Sequence, residues 1–428
     1  MIGQVAQTMQ RKAAIVGCGR IGAPLLAWMH KKAKANGDVV YGLETNEELR
    51  LKLIDGNTGW FEEGMDEYYQ QNNVVVMNPT GLHEGVNHWV NCQFAIVCLG
   101  SPVVDQQPQL DAIYKVIESI PKDVLVILRS TVPVGTCRKL EKLYDRQIIF
   151  APERILTGNS MKELDLLQQV IGMSNLRLEN SEKFRFFCDF FLGHTTFVTQ
   201  DEAELAKIGN NIIRYIEFTA GTQFARACEA VGADWHNVRK AMTNKYPRGR
   251  MCFPAFTSSY CLNKDFYMLP QDAIPHLSLA AEGFNQNHFV NELLDKAFTM
   301  HQGDKTRDTT VGILGWTYRP GSDDDRDTIV EYILPAVEKR LYGQSRVAIF
   351  DPVKMPTRQD ILSRTGFQKG ISLCSGSFEL CKAADIIIVA NAHDEFASIP
   401  FDVLEGKVVI DPAGIINPTD KFVMRWCE

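Results

Sequence analysis

Three groups of residues carry the chemistry this sequence offers. Cys261 stands in S-S-Y-C-L-N-K-D, with Lys264 and Asp265 just after it. A cation close to a thiol favours the thiolate, which is the nucleophilic form. An isolated cysteine is more often a small buried hydrophobe, and spacing alone does not separate Cys261 from Cys228 or Cys252. Lys207, Asn211 and Arg214 recur at helical spacing within Gln200 to Phe218, roughly opposite an expected buried stripe of Leu205, Ile208, Ile212 and Ile216. That cationic stripe is either a solvated face or an ammonium and an amide aimed at a developing oxyanion; asparagine, a poor helix former, speaks for the second. The third group is G-C-G-R-I-G, Gly17 to Gly22, with Glu44 a further 22 residues along.

The elements around these groups follow from hydrophobic pattern. K-A-A-I-V-G (Lys12 to Gly17) reads as a strand running into the glycines, and I-G-A-P-L-L-A-W-M-H as the helix that leaves them. A second strand, Val39 to Glu44, ends in a carboxylate, and further β-rich runs occur at Phe94 to Gly100, Val124 to Arg129 and Gln147 to Phe150. Helical segments between them point to a parallel sheet covered by helices. A long helical stretch spans Thr199 to Val231, and a second β-rich set begins near Thr309 with T-T-V-G-I-L-G, S-R-V-A-I-F-D-P, A-A-D-I-I-I-V-A and K-V-V-I-D-P. H-Q-G-D-K-T-R-D before that set reads as an exposed linker. The organisation expected is α/β: two domains, residues 1–198 and 305–428, joined by a long central helix and a helical middle at 199–304.

In that setting the glycine run acquires a specific meaning. Gly17 allows a tight turn, Gly19 lets a pyrophosphate approach the backbone, and Gly22 permits close helix–sheet packing, while the helix N-terminus presents N–H groups to phosphate. Glu44 would accept hydrogen bonds from the adenosine ribose and repel a 2′-phosphate, so NAD is expected over NADP; the alternative is a solvated carboxylate before a turn. The composition excludes other classes. With 428 residues, 45 Lys plus Arg against 52 Asp plus Glu and a net charge of −7, a general nucleic-acid binder is not expected. No apolar run approaches the ~18 residues of a membrane helix. The 11 cysteines show no C-x-x-C, so neither a metal site nor a secreted disulfide framework is expected, and a cytoplasmic location is.

Taken in order, the motifs resemble those of the nucleotide-sugar 6-dehydrogenases, the family of UDP-glucose, GDP-mannose and UDP-N-acetylmannosamine dehydrogenases. After G-C-G-R-I-G, D-G-N-T-G-W-F-E-E-G-M (Asp55 to Met65) is similar to the family's N-x-G-x-x-P-x-x-E-P-G-L, and L-G-S-P (Leu99 to Pro102) to V-x-T-P. S-T-V-P-V-G-T (Ser130 to Thr136) matches letter for letter, and A-P-E-R-I-L-T-G (Ala151 to Gly158) resembles the family's P-E-F-L-x-E-G or P-E-R-V-x-x-G. A-E-L-A-K-I-G-N-N (Ala203 to Asn211), T-N-K-Y-P-R (Thr243 to Arg248), C-L-N-K-D, G-W-T-Y-R-P-G-S-D-D-D-R (Gly315 to Arg326) and F-D-P (Phe350 to Pro352) continue the series.

The resemblance implies two Rossmann-like doubly wound domains with the active site between them, NAD on the first and the nucleotide sugar largely on the second. It implies Cys261 as nucleophile, Lys207 and Asn211 as oxyanion stabilisers, and Asp265 and Glu153, with Thr131 nearby, in water and proton handling. Cofactor contacts are implied for Gly17, Gly19, Arg20, Ile21, Gly22, Glu44, Ser101, Thr131, Lys264 and Arg326. Substrate contacts are implied for Arg154, Ile155, Leu156, Lys207, Asn211, Arg214, Arg248, Tyr260, Tyr318 and Arg319, with a homodimer in which Arg248 reaches across the interface.

Two departures stand out: P-A-F-T-S-S-Y replaces the family's glycine-rich approach to the cysteine, and E-E-G-M replaces E-P-G-L. The specificity motifs divide, P-E-R with the later E-L (Glu163, Leu164) resembling the UDP-N-acetylhexosamine enzymes and C-x-x-K-D the UDP-glucose and GDP-mannose branches. The competing readings are a single-hydride β-hydroxyacid-type dehydrogenase, which uses a middle-helix lysine but has no cysteine nucleophile and no second Rossmann-like domain, and a non-catalytic nucleotide-sugar-binding protein. From Glu44 we expect kcat/KM for NAD to exceed that for NADP by at least tenfold, on the order of 1.4 kcal/mol. Steady-state kinetics with both cofactors checks this, and equal values remove Glu44 from the role.

Overall fold

The computed structural model describes residues 10–79, 88–174, 181–191, 195–257, 259–270, 286–301, 308–416 and 421–425. The expected linker before Thr309 lies largely outside the described residues. The chain divides into two compact units, Met1–Asn210 with Lys264–Gln271, and Asn211–Asn263 with Asp272–Glu428.

The first unit is built on strands β1 (Lys12–Val16), β2 (Val39–Leu43), β3 (Val76–Met77), β4 (Cys92–Val97), the small hairpin β5 (Val103–Val104) and β6 (Gln107–Pro108), then β7 (Leu125–Leu128), β8 (Ile148–Phe150), β9 (Gln169–Gly172) and β10 (Thr195–Val198). Without the hairpin they form one sheet in the order β10-β9-β8-β7-β4-β1-β2-β3. Ala13, Ala14, Ile15 and Val16 are all buried, as are Phe94 to Val97; such continuous apolar runs suit strands covered on both faces. Strands β1, β2, β4, β7 and β8 are mutually parallel. The chain leaves β1 for β2 on one side and takes up β4 on the other. Ligands of open α/β sheets bind at such a reversal, beyond the carboxyl ends of the strands.

Helix Gly22–Asn36 covers the sheet with Leu25, Leu26, Trp28 and Met29 and stops at Gly37, whose left-handed φ of 74° lets its N–H reach the last carbonyls. Phe94 packs edge-on against Phe186 and Phe187, 5.1 and 5.6 Å between ring centroids, which anchors helix Glu182–Asp189. Helix Gln200–Val231 then runs unbroken for 32 residues.

The second unit repeats the plan with β11 (Thr310–Leu314), β12 (Arg346–Phe350), β13 (Gly370–Leu373), β14 (Ile386–Val389), β15 (Val408–Ile410) and β16 (Val423–Arg425). Their order is β13-β12-β11-β14-β15-β16, parallel except for β16. Helices Val330–Glu338 and Gln286–His301 bury Ile333, Leu334 and Val337, and Val290, Leu293 and Leu294, in the core that includes Val311, Ile313, Val347 and Ile349. The architecture is thus two doubly wound α/β sheets with a helical middle, as expected. Strands β3, β9, β10, β13 and β16 have no counterpart in the sequence reading. All lie toward a sheet edge, and Gly370–Leu373 has no buried residue, so in that strand the apolar signal that marks a central strand is missing.

The second sheet is tied together at Asp351, which is buried at the end of β12. Its Oδ2 accepts from the N–H groups of Trp316 (2.7 Å) and Thr317 (3.1 Å), and its Oδ1 from those of Val353 (2.8 Å) and Lys354 (2.9 Å). His393 Nε2 lies 3.3 Å from Oδ2. Burial pushes this carboxyl up, but the bonds from His393 and the backbone outweigh it, so its pKa falls below the usual carboxylate range. We expect Asp351→Asn to cost about 3 kcal/mol near neutral pH in denaturant titration. A depressed pKa contributes stability above the unfolded value, about 4, so the gap between wild type and variant narrows as pH falls below it. A gap independent of pH refutes this account.

Candidate functional site

The glycine-rich turn shows a division of labour. Gly17 has φ 86°, and a side chain there would meet Leu99 and the Cys98 carbonyl. A Cβ on Gly22 would lie 1.8 Å from the Gly17 carbonyl oxygen. Both are therefore required for the turn itself. Gly19 is different: nothing lies within 4 Å of its Cβ position. The space is open where a phosphate would approach, in front of helix Gly22–Asn36 and flanked by Arg20 and Ile21.

Glu44, immediately after β2, binds this turn. Its Oε2 accepts from Cys18 N–H at 2.8 Å and its Oε1 from Asn46 N–H at 2.9 Å. Each oxygen retains a lone pair for a ribose hydroxyl. Ser101 follows β4, Thr131 follows β7, and Glu153, Arg154, Ile155 and Leu156 follow β8. The first unit thus collects the glycines, Glu44, Ser101, Thr131 and the 153–156 segment along one edge of one sheet. Ser101 and Glu153 are buried, Thr131 and Ile155 half-buried, and Arg154 and Leu156 exposed. The residues so gathered fit a dinucleotide.

Glu153 is heavily engaged. Its Oε2 accepts from Arg129 Nε at 2.7 Å, and its Oε1 from the N–H groups of Arg154 (2.6 Å) and Ile155 (2.8 Å). Arg129 itself is buried and also donates to Gln169 Oε1 at 2.9 Å. Lys264 and Asp265, both buried, form an ion pair with Nζ 2.6 Å from Oδ1.

On the long helix, the buried stripe differs from the one expected. Ala203, Glu204, Ile208, Ile212 and Tyr215 are buried, whereas Leu205 is 47% exposed and Ile216 only half-buried. The reason is Glu204, whose side chain takes a core-facing position that apolar patterning assigns to a hydrophobe. Lys207 and Asn211, one turn apart, are half-buried, and Arg214 is exposed with its guanidinium 5.3 Å from the Phe218 ring centroid.

In the second unit, Cys261 is exposed, whereas the other described cysteines are buried or half-buried. Arg326 donates through Nε and Nη2 to Asp324 at 2.9 and 2.6 Å, and its guanidinium lies 4.6 Å from the ring centroid of Tyr260. Partial burial opposes its charge, but Asp324 outweighs that, with Cys261 and Tyr260 adding to it, so its pKa is raised. Arg326 is thus one cation coupled to Cys261, and the Lys264 ammonium is paired with Asp265. Arg319 Nε donates to the Tyr318 hydroxyl at 2.9 Å. Arg248 is exposed, its guanidinium over the Tyr246 ring.

Several residues of the site were not singled out from sequence. Glu62 accepts from Gly158 N–H at 2.9 Å and from Ser160 N–H, fastening the loop after Glu153. Glu204 does the same for the loop after Thr131. Asp324 fixes Arg326, and Arg129 fixes Glu153. Glu204 leaves one usable sign, a carboxylate in phase with Ile208 and Ile212 on an otherwise apolar face.

Models of the UDP-glucose/GDP-mannose dehydrogenase family match the chain at residues 11–184 (NAD binding domain), 201–292 (central domain) and 312–418 (UDP binding domain). The chain is 24% identical to the UDP-N-acetyl-D-mannosamine dehydrogenase of Pyrococcus horikoshii, over 97% of this chain and 98% of that one. It is 25% identical to the UDP-glucose 6-dehydrogenase of Rickettsia felis, over 87% and 86%. Among solved structures, the fold matches a UDP-glucose dehydrogenase from Pyrobaculum islandicum with a TM-score of 0.77 at 18% identity, covering 97% of each chain.

The glycine geometry makes a paired prediction. Gly19→Val should leave thermal stability within about 0.5 kcal/mol of wild type, yet weaken NAD binding at least tenfold by filling the phosphate approach. Gly22→Ala should instead lower stability by roughly 3 kcal/mol or more, because its Cβ meets backbone that cannot yield. Thermal melts and NAD titrations of both variants decide it; unweakened binding by Gly19→Val defeats the assignment.

Proposed function

Because the chain belongs to the UDP-glucose/GDP-mannose dehydrogenase family, we propose that it oxidises the C6 hydroxymethyl group of a UDP-sugar to the uronic acid, in two successive two-electron steps that use NAD. The relatives named for UDP-N-acetyl-D-mannosamine and UDP-glucose support a UDP-linked glucose or N-acetylhexosamine over GDP-mannose. The observation that carries the reading is the exposure of Cys261 among described cysteines that are otherwise buried or half-buried. A single-hydride dehydrogenase has no use for such a thiol.

NAD, when bound, accepts the hydride in each oxidation. The residues of the chain do the remainder. As the alcohol passes its proton to the water ordered by Glu153 and Thr131 and gives up its hydride, negative charge develops on oxygen, and the Lys207 ammonium and Asn211 amide stabilise it. The Cys261 thiolate adds to the aldehyde carbon, giving a thiohemiacetal whose loss of a second hydride leaves a thioester. Water then adds to the thioester carbonyl; the carbon–sulfur bond breaks, the sugar carboxylate leaves and the thiol returns.

Asp265, a buried carboxylate bound to Lys264, takes the proton from that water. Glu153, held by Arg129 and two backbone N–H groups, orders the water with Thr131. Gly17, Gly19, Arg20, Ile21, Gly22, Glu44, Ser101, Lys264 and Arg326 hold the cofactor. Tyr260, Arg154, Ile155, Leu156, Arg214, Tyr318 and Arg319 hold the UDP-sugar, and the enzyme is a cytoplasmic homodimer in which exposed Arg248 reaches the partner's substrate.

Incubation with NAD and a panel of nucleotide sugars, read by absorbance of the reduced cofactor and by sugar-acid analysis, tests this. We expect two reduced cofactors per acid formed, and loss of acid formation in Cys261→Ala with NAD and UDP-sugar binding retained. Asp265→Asn should accumulate a thioester on Cys261, located by mass spectrometry. Near-normal acid production by Cys261→Ala overturns the reading, and preference for GDP-mannose overturns the substrate ranking.

A further inference from the structure

Helix Thr136–Tyr144 begins at Gly135, which has φ 87° and no side chain with which to cap the helix. The Thr136 N–H turns back to the Pro133 carbonyl at 3.1 Å, but those of Gly135 and Cys137 are satisfied from a distant segment. Glu204, fully buried on the long helix, accepts from Gly135 N–H through Oε2 at 2.5 Å and from Cys137 N–H through Oε1 at 2.8 Å. The loop so held is S-T-V-P-V-G-T, which carries Thr131; the helix that holds it carries Lys207 three residues beyond Glu204.

Neighbouring contacts restrict the same turn of helix. Gln200 Nε2 donates to the Ile148 carbonyl at 2.6 Å and to Glu141 at 2.9 Å, and Asp201 pairs with Arg138 at 2.8 Å. Gly172 lies so close to Ala203 that a Cβ on it would come within 2.6 Å of the alanine methyl. These contacts fix where the helix lies. Glu204 differs from them in joining the helix directly to the backbone of the Thr131 loop. Burial pushes its carboxyl above the ordinary value while the two N–H donors pull it down, as befits a buried acid retained for its hydrogen bonds.

We propose that Glu204 is a positioning residue for the oxidation: it sets the Lys207 ammonium in register with the Thr131 loop, and thereby sets the rate of the chemical step without itself touching the reactants. The inference rests on the assignment of Lys207 in the proposed function. A glutamine in place of Glu204 keeps the volume but presents only one acceptor, so one of the two N–H groups loses its partner and the register loosens by a fraction of an ångström. Geometry of that kind governs the chemical step far more than ground-state binding.

The test is a double-mutant cycle of Glu204→Gln and Lys207→Ala, read as kcat and KM for reduced-NAD formation from the UDP-sugar most active in the panel. Lys207→Ala alone is expected to lower kcat at least a hundredfold. Glu204→Gln alone is expected to lower kcat tenfold or more with both KM values changed less than threefold, and to cost less than twofold when added to Lys207→Ala. A purely structural role gives the same proportional loss in both backgrounds, and that result overturns the proposal, as does an unchanged kcat in Glu204→Gln. A normal rate in Lys207→Ala instead overturns the assignment of Lys207, a separate outcome. Should Glu204→Gln fail to fold, Glu204→Asp replaces it, its shorter carboxylate being expected to recover part of the kcat of a folded Glu204→Ala; no recovery counts against the proposal.

Discussion

A carboxylate accepting backbone N–H groups from a loop at the carboxyl end of a sheet is the interaction on which this structure depends. It recurs at Glu44 on the glycine turn, Glu62 on the loop around Gly158, Glu153 on its own following residues, Glu204 on the loop before helix Thr136–Tyr144, and Asp351 on the loop after β11. The physical need is common to all of them. A parallel strand ends by turning into a loop or helix whose first N–H groups have no partner within the element, and next to a covered sheet water is scarce. An ionised carboxylate offers two oxygens with several lone pairs, and charge-assisted bonds to it are shorter and stronger than those to a neutral acceptor.

The two units apply the device at equivalent places. Glu44 follows β2 and Asp351 ends β12, each being the strand beside the first strand of its sheet, and each carboxylate receives the N–H groups of the loop that leaves that first strand. In the first unit the loop is open to a phosphate at Gly19 and the carboxylate is half-buried. In the second, Asp351 is enclosed, with Thr317, Asn391 and His393 completing a buried polar cluster. The same topology thus gives an accessible acceptor in one unit and a purely internal clamp in the other.

The cost of such an arrangement is that many charges are buried, and each depends on its partner. Arg129 and Glu153 satisfy one another inside the first unit, and Lys264 and Asp265 do likewise. Deleting one member of a pair leaves an uncompensated charge, commonly worth 3–5 kcal/mol of instability. Residues of the proposed active site are therefore also residues of the scaffold. Activity lost on substitution has to be separated from stability lost, by melting and binding measurements on each variant.

The class of fold, the glycine turn with its carboxylate, the order of the motifs and, through them, the family are all legible in the amino-acid sequence. These are local signals: apolar runs of strand length, glycines where a side chain would collide, and short motifs whose spacing survives in the chain. Short edge strands such as Gly370–Leu373 were not legible, because their pairing comes from a neighbour rather than from their own pattern. Apolar periodicity also misassigned Leu205, because a carboxylate cannot be recognised as a core residue until the N–H groups it caps, some 70 positions away in the chain, are seen beside it. The same holds for Arg326, which spacing joins to nothing but which folding sets over Tyr260, where it is coupled electrostatically to Cys261. Which polar groups face one another emerges on folding, since a hydrogen bond between distant segments leaves no periodicity in either of them.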